Sequence, residues 1–343
     1  MNKTFKKTLL VAAVAALSAS ASMASETGKT NLMFPYVSSG ANAYTFLTIS
    51  NGGTQSTAAT VHFIYGMKAT TATNATGCEH GDGNGTLTAN DVLQFEMSNK
   101  LNLVTALANG DTNNSFPWTG GADKAGFLLL NNDGPAPIAG QNSLYGSAVV
   151  VDTASGLRLA YSTQGFNTDS SQAPDYTINN TGVAGGPEPL NGATPTATGL
   201  TTASLNHQLT WYATPTVSTS WFVIPLGTEA LMSPSSSVGG VTGSFSMTSS
   251  DGATGGAYDM KEAFSSGALS TTVTCYGTIT RDLMLQSTAL ANSAKGGMAS
   301  LATTVTTASS GGVNANKAMV FQNQSTTAIN GSATNFINRA AHR

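Results

Sequence analysis

Short apolar runs punctuated by turn residues constrain this chain more than anything else in it. "NLMFPYV", "AYTFLTIS", "TVHFIYG", "DVLQFEM", "GFLLLNN", "SAVVVD" and "LRLAYST" come first, and "LTWYAT", "SWFVIPL", "GSFSMT", "STTVTCYGTI" and "AMVFQN" follow. Most are about four to eight residues long and close on Gly, Asn, Asp, Ser or Pro, as strands do. In "YTFLTIS", Tyr44, Phe46 and the positions beyond them alternate with Thr, the period of a half-buried strand. The expectation is an all-β fold, antiparallel and sandwich-like. Only "TRDLMLQSTALANSAKG" reads as helical, with Asp282 early and Gly296 as a stop, which predicts one short helix near residues 281–294. Residues 167–206 hold few apolar clusters and much Pro, Gly, Thr and Asn. They read as a long surface loop, or as the place where the chain subdivides.

The N-terminus sets the expected compartment. Lys3, Lys6 and Lys7 precede the apolar run "TLLVAAVAAL", and "SASASMA" ends in small residues. This is the pattern of a secretory signal, with residues 1–24 removed and residues 25–343 forming an exported, β-rich domain. No later stretch has the roughly 18 consecutive apolar residues that a spanning helix needs. Cys78 and Cys275 are the two cysteines, and an oxidising compartment favours joining them. Charged residues make up 9% of the chain, against a usual value of about 25%, so Ser, Thr, Asn, Gln and Gly must cover much of the surface. Few charges mean little mutual repulsion, which suits a protein that meets neighbours over wide polar surfaces. A nucleic-acid partner would require a basic stripe that this chain does not have.

One stretch could carry specific chemistry: "CEHGDGNGTLTANDVLQF", residues 78–95. Within it, "HGDGNGTLTAND" resembles the twelve-residue calcium loop of dockerin and EF-hand type. The resemblance implies a calcium site with Asp82, Asn84, Thr86 and Asp91 as oxygen ligands, Gly85 at the sharp turn and Leu87 anchoring the loop. The residues have a second reading, a Gly-rich turn between strands in which Thr88 and Asn90 make the turn hydrogen bonds.

Elsewhere GxSxG, HExxH and GxxxxGK[ST] are not found, and the histidines, His62, His80, His207 and His342, are scattered. Carboxylates are too sparse to suggest a glycosidase pair, so the expectation is a non-enzyme without a cofactor other than the calcium considered above. Trp211, Tyr212, Trp221 and Phe222 read as core strand residues. Trp118, in "SFPWTGG", is the better candidate for an exposed ring that stacks on a glycan. "NLMFPYV…AYTFLTISN", then "C…LTANDVLQFEM", then "VTCYGTI" is similar to a group of exported bacterial surface proteins that open on a Phe-Pro-Tyr strand. That resemblance implies a secreted β-sandwich and carries no catalytic residues with it. The reading that follows is a secreted or cell-surface structural protein, a self-associating homopolymer subunit of an extracellular filament, layer or matrix. The alternative is an adhesin or carbohydrate-binding module. For assembly, "SETGKTNLMFPYV" is expected either to lie on its own sheet or to add to a neighbour's edge. Leu32, Phe34 and Tyr36 would be its alternating set, and Pro35 would restrict it to an edge position.

Overall fold

The computed structural model describes residues 31–52, 59–97, 123–132, 144–153, 157–166, 206–212, 217–226, 242–248, 255–267, 269–286, 296–305, 317–326, 334–339 and 341–342. In chain order the first half gives β1 (Asn31–Ser39), β2 (Ala43–Asn51), β3 (Ala59–Ala69), β4 (Glu79–Leu87), β5 (Val92–Glu96), β6 (Lys124–Asn132), β7 (Leu144–Asp152), β8 (Arg158–Ser162) and β9 (Gln164–Phe166). The second half gives β10 (Asn206–Trp211), β11 (Val217–Leu226), β12 (Thr242–Thr248), β13 (Gly256–Asp259), β14 (Phe264–Ser266), β15 (Ser270–Thr274) and β16 (Gly277–Thr280). It ends with α1 (Arg281–Leu285), β17 (Gly297–Val305), β18 (Lys317–Thr326), β19 (Thr334–Arg339) and β20 (Ala341–His342). The protein is all-β, as its punctuation predicts. α1 starts where expected, because the Thr280 side chain accepts from Leu283 N and Asp282 sits in the first turn. Most of the expected continuation to residue 294 lies outside the described residues.

The strands form three sheets. The eight-stranded sheet runs β16-β11-β18-β19-β8-β7-β2-β5, with four strands from each half of the chain. The halves meet at its middle, where β19 and β8 pair in parallel through Asn335 and Leu159. The five-stranded sheet is β4-β3-β6-β1-β9, and the remaining strands build a seven-stranded sheet around β17 and β10.

Alternation along β11 and β18 shows how the layers stack. Phe222, Ile224, Met319 and Phe321 enter a core shared with β1, β3 and β6 of the five-stranded sheet. Their neighbours Trp221, Val223, Ala318 and Val320 enter a second core shared with β10, β12 and β17. β11 and β18 are thus buried on both faces, which explains why "WFVI" and "AMVF" are unbroken apolar runs. Each of the larger of these side chains contributes about 1.5–3 kcal/mol by leaving water.

β2 is the contrasting case, with strict alternation between buried and half-buried positions. Its sense is opposite to the one its aromatic residues suggest. Ala43, Thr45, Leu47, Ile49 and Asn51 are buried, while Tyr44 and Phe46 lie on the less covered face, stacked 6.5 Å apart. Thr45 can face inward because its hydroxyl donates to Ser38 O and accepts from Ser38 N.

β1 lies in its own sheet, between β6 and β9, with Leu32, Met33, Phe34 and Val37 buried. It is a core strand here and not a free donor. Pro35 is tolerated because it sits at a bulge between Phe34 and Val37, beyond the end of the β9 pairing. The strict alternation expected of Leu32, Phe34 and Tyr36 is not kept, since Met33 and Val37 are buried too, while the half-buried Tyr36 still packs against the core that holds Leu32 and Phe34.

Candidate functional site

The densest polar and aromatic chemistry among the described residues lies where the two halves are fastened together. Cys78 follows the turn after β3, and Cys275 separates β15 from β16. Their disulfide closes a sequence separation of 197 with Cα atoms 5.8 Å apart, as the sequence reading expects. Cys275 has φ 66°, and Tyr276 N donates to Thr274 O across it, which makes a γ-turn of the rare positive-φ kind. A non-glycine residue held there costs on the order of 1–3 kcal/mol, which the surrounding contacts offset. Gly66 supplies the room: a Cβ at this position would lie 2.9 Å from Cys275 Sγ and 3.0 Å from the Phe127 ring.

Two side chains bind the same junction through the backbone. Lys68, 7% exposed on β3, donates from Nζ to the carbonyls of Asn74 (2.9 Å), Thr76 (3.1 Å) and Thr274 (3.3 Å). Burial pushes its ammonium down to about 8. Asn74 acts as an inserted strand residue. Its Nδ2 donates to Thr278 O at 2.9 Å, its Oδ1 accepts from Thr278 N at 3.1 Å, and its own carbonyl accepts from Thr274 N. Gly277 permits this approach, since a Cβ there would meet Asn74 Oδ1 at 2.8 Å.

An aromatic cluster completes the clasp. Tyr36 stacks on Phe222 at 4.6 Å, and Tyr276 lies 6.3 Å and 6.1 Å from these two rings. The Tyr161 hydroxyl donates to Tyr36 O. Burial, with Asp152 nearby, raises the Tyr36 phenol to about 12 against a weaker opposing hydrogen bond with Ser38. Burial also holds the Tyr161 and Tyr276 phenols well above their ordinary range. These phenols stay neutral and the lysine is fully engaged with carbonyls, so the arrangement holds backbone segments together.

The residues of the calcium-loop reading are arranged differently. Asp82, Asn84 and Thr86 lie along β4, in register with Ile64, His62 and Thr60 of β3. Alternate strand positions are roughly 6.6 Å apart, so Asp82 and Thr86 are spread over about 13 Å. A calcium loop instead wraps oxygens to within about 2.3–2.6 Å of one ion. Asp91 lies past the strand, in the corner that carries the chain from the five-stranded sheet into the eight-stranded one. Its carboxylate accepts from Thr88 N, Thr88 Oγ1 and Val92 N. Asn90 takes φ 62° there and donates its N–H to Asn51 O, while the Asn51 side chain donates to the carbonyls of Leu87 and Thr88. Among the described residues, no group of three or more His, Cys, Asp or Glu could hold a metal ion.

Trp211 and Trp221 are buried core residues, and Tyr212 beside them is 58% exposed. Trp118 lies outside the described residues. His207 is buried on β10 in register with His342 of β20. The sequence reading missed Lys68, Asn74 and the Tyr36–Phe222–Tyr276 stack. For the tyrosines of that stack the signal was present in the Phe-Pro-Tyr and "TCYG" stretches, which the fold brings together.

The fold and the clasp define a disulfide-tied all-β protein whose two halves share one sheet. No family model matches the chain, and neither do any curated proteins or solved structures. Among the described residues, no helix is long and apolar enough to cross a membrane.

Proposed function

We propose that the protein is an exported or cell-surface structural protein, a subunit that self-associates into an extracellular filament, layer or matrix. The observation that carries this reading is how four charged side chains among the described residues are used. Lys68, Asp91, Asp123 and Asp259 direct their charge to the chain's own backbone N–H and carbonyl groups, where it stiffens turns and junctions. A disulfide spanning most of the chain and a low overall charge support a part that must hold its shape among neighbours outside the cell. Electron microscopy and sedimentation of residues 25–343 test it. Ordered multimers that grow with concentration are expected, and a monomer at every concentration overturns the reading.

The exposed Tyr212 favours a second reading, an adhesin or carbohydrate-binding module in which Tyr212 and Trp118 stack on sugar rings. Glycan-array binding that is lost in Trp118→Ala or Tyr212→Ala would establish it, and the absence of binding to any glycan would remove it.

A further inference from the structure

β4 is the stretch "EHGDGNGTL", and among the described residues it ends the five-stranded sheet. The other strands that end a sheet among the described residues are two to five residues long. Short edges are one of the means by which proteins avoid pairing with strangers; charged side chains (lysine above all), proline and bulges are others. Of these β4 has only the two acids Glu79 and Asp82, which the register below keeps apart. It is nine residues long, it contains no Lys or Pro, and its register with β3 is unbroken from Ala59↔Leu87 to Met67↔Glu79. It is also intrinsically weak. Gly81, Gly83 and Gly85 each disfavour an extended strand by roughly 0.5–1 kcal/mol relative to alanine. Such a strand gains from a neighbour on each side.

We propose that β4 is a self-association edge that pairs antiparallel with β4 of a second copy across a two-fold axis at Gly83. Three features select this occupant and this register. First, keeping the same face of both sheets on the same side requires partners of equal parity, since a one-residue slip exchanges the faces. Second, centring on Gly83, the strand midpoint, pairs all nine residues. Third, this register sets Glu79 opposite Leu87, His80 opposite Thr86, Gly81 opposite Gly85 and Asp82 opposite Asn84, so no acid faces an acid. Centring on Asp82 would oppose the two Asp82 carboxylates, which is unfavourable. The pairing joins two five-stranded sheets into one continuous sheet in which β4 has a neighbour on each side. The inference rests on the edge alone: a dimer that grows no further keeps it while sinking the subunit reading above.

The register is testable with the disulfide-intact chain of residues 25–343. Asp82→Cys mixed with Asn84→Cys should form an intermolecular disulfide under mild oxidation, because the two positions are directly opposite. Neither variant alone should do so, since two copies of position 82 lie about 8 Å apart, beyond disulfide reach. Sedimentation provides a second measurement that needs no new cysteine. Asn84→Asp opposes two acids twice per dimer and should raise the dimer Kd roughly fivefold or more, whereas Asn84→Lys should lower it. A parent chain that stays monomeric at all concentrations overturns the proposal. So does cross-linking in the mixture that is no greater than in the single variants, or a dimer indifferent to both substitutions at position 84.

Discussion

At the scale of single residues, the clasp makes a prediction about pH. Lys68 loses its proton near pH 8 in the folded protein, against an ordinary value of 10.5 in the unfolded chain. Between these values the unfolded state holds more protons, so stability should rise as pH increases from about 8 toward 10. The tyrosines act in the opposite direction. Unfolded phenols ionise near 10.0, while Tyr36 stays protonated to about 12 and Tyr161 and Tyr276 are also raised, so stability should fall above pH 10. Urea denaturation from pH 7 to 11 should therefore show a maximum near 10, and a flat or steadily falling profile would contradict it. Lys68→Met should remove the rising limb and leave three carbonyls without their donor, at a cost of about 1–3 kcal/mol. Asn74→Ala should cost a similar amount by breaking both side-chain bonds to Thr278, with no change in the pH profile.

At the scale of elements, the corner between β4 and β5 separates the two readings of residues 78–95. With Asp91 bonded to Thr88 and Val92, Asp91→Ala should lower Tm equally with and without calcium, and chelation should leave the parent unchanged. A calcium-dependent Tm that vanishes in Asp91→Ala would establish the metal site. The difficulty of this stretch shows what local sequence encodes. Strand identity was legible wherever apolar residues alternate or run together, as in β2, β11 and β18, because burial imposes that pattern. β4 was illegible as a strand because its glycines and polar residues carry turn signals, and its extended form comes from pairing along β3. The alternation of β2 was legible, but which of its faces turns inward was not, for a related reason. A buried Thr45 needs Ser38 as partner, and Ser38 comes from another strand. The disulfide was legible from compartment and count alone. The Lys68 cage was not, because backbone carbonyls leave no mark in the sequence.

At the scale of the whole molecule, the question is whether the halves are two units held by a tether or one cooperative body. Cys78–Cys275 supplies the tether, and over a separation of 197 it could contribute about 5 kcal/mol in the chain-entropy view. The eight-stranded sheet supplies a stronger kind of coupling. Strands of both halves meet at β8 and β19, and β11 and β18 place one face in each core. Unfolding the second half would strip Phe222, Ile224, Met319 and Phe321 from the first core and uncover the Tyr36 ring that Phe222 and Tyr276 cover. Losing several such side chains at roughly 1.5–3 kcal/mol each outweighs the tether. Removal of the disulfide by Cys78→Ser with Cys275→Ser should therefore lower Tm yet preserve a single calorimetric transition. Two resolved transitions in that variant would mean that the cross-link, and not the shared sheet, makes the molecule cooperative. A second variant locates the coupling. Phe222→Ala, with the disulfide intact, removes a ring from the core between the halves and breaks its stack with Tyr36. It should cost about 3–5 kcal/mol and weaken both halves together, read as equal loss of hydrogen-exchange protection in β2 and in β17. Loss confined to β17 would place Phe222 on one side of a boundary that the central sheet does not bridge.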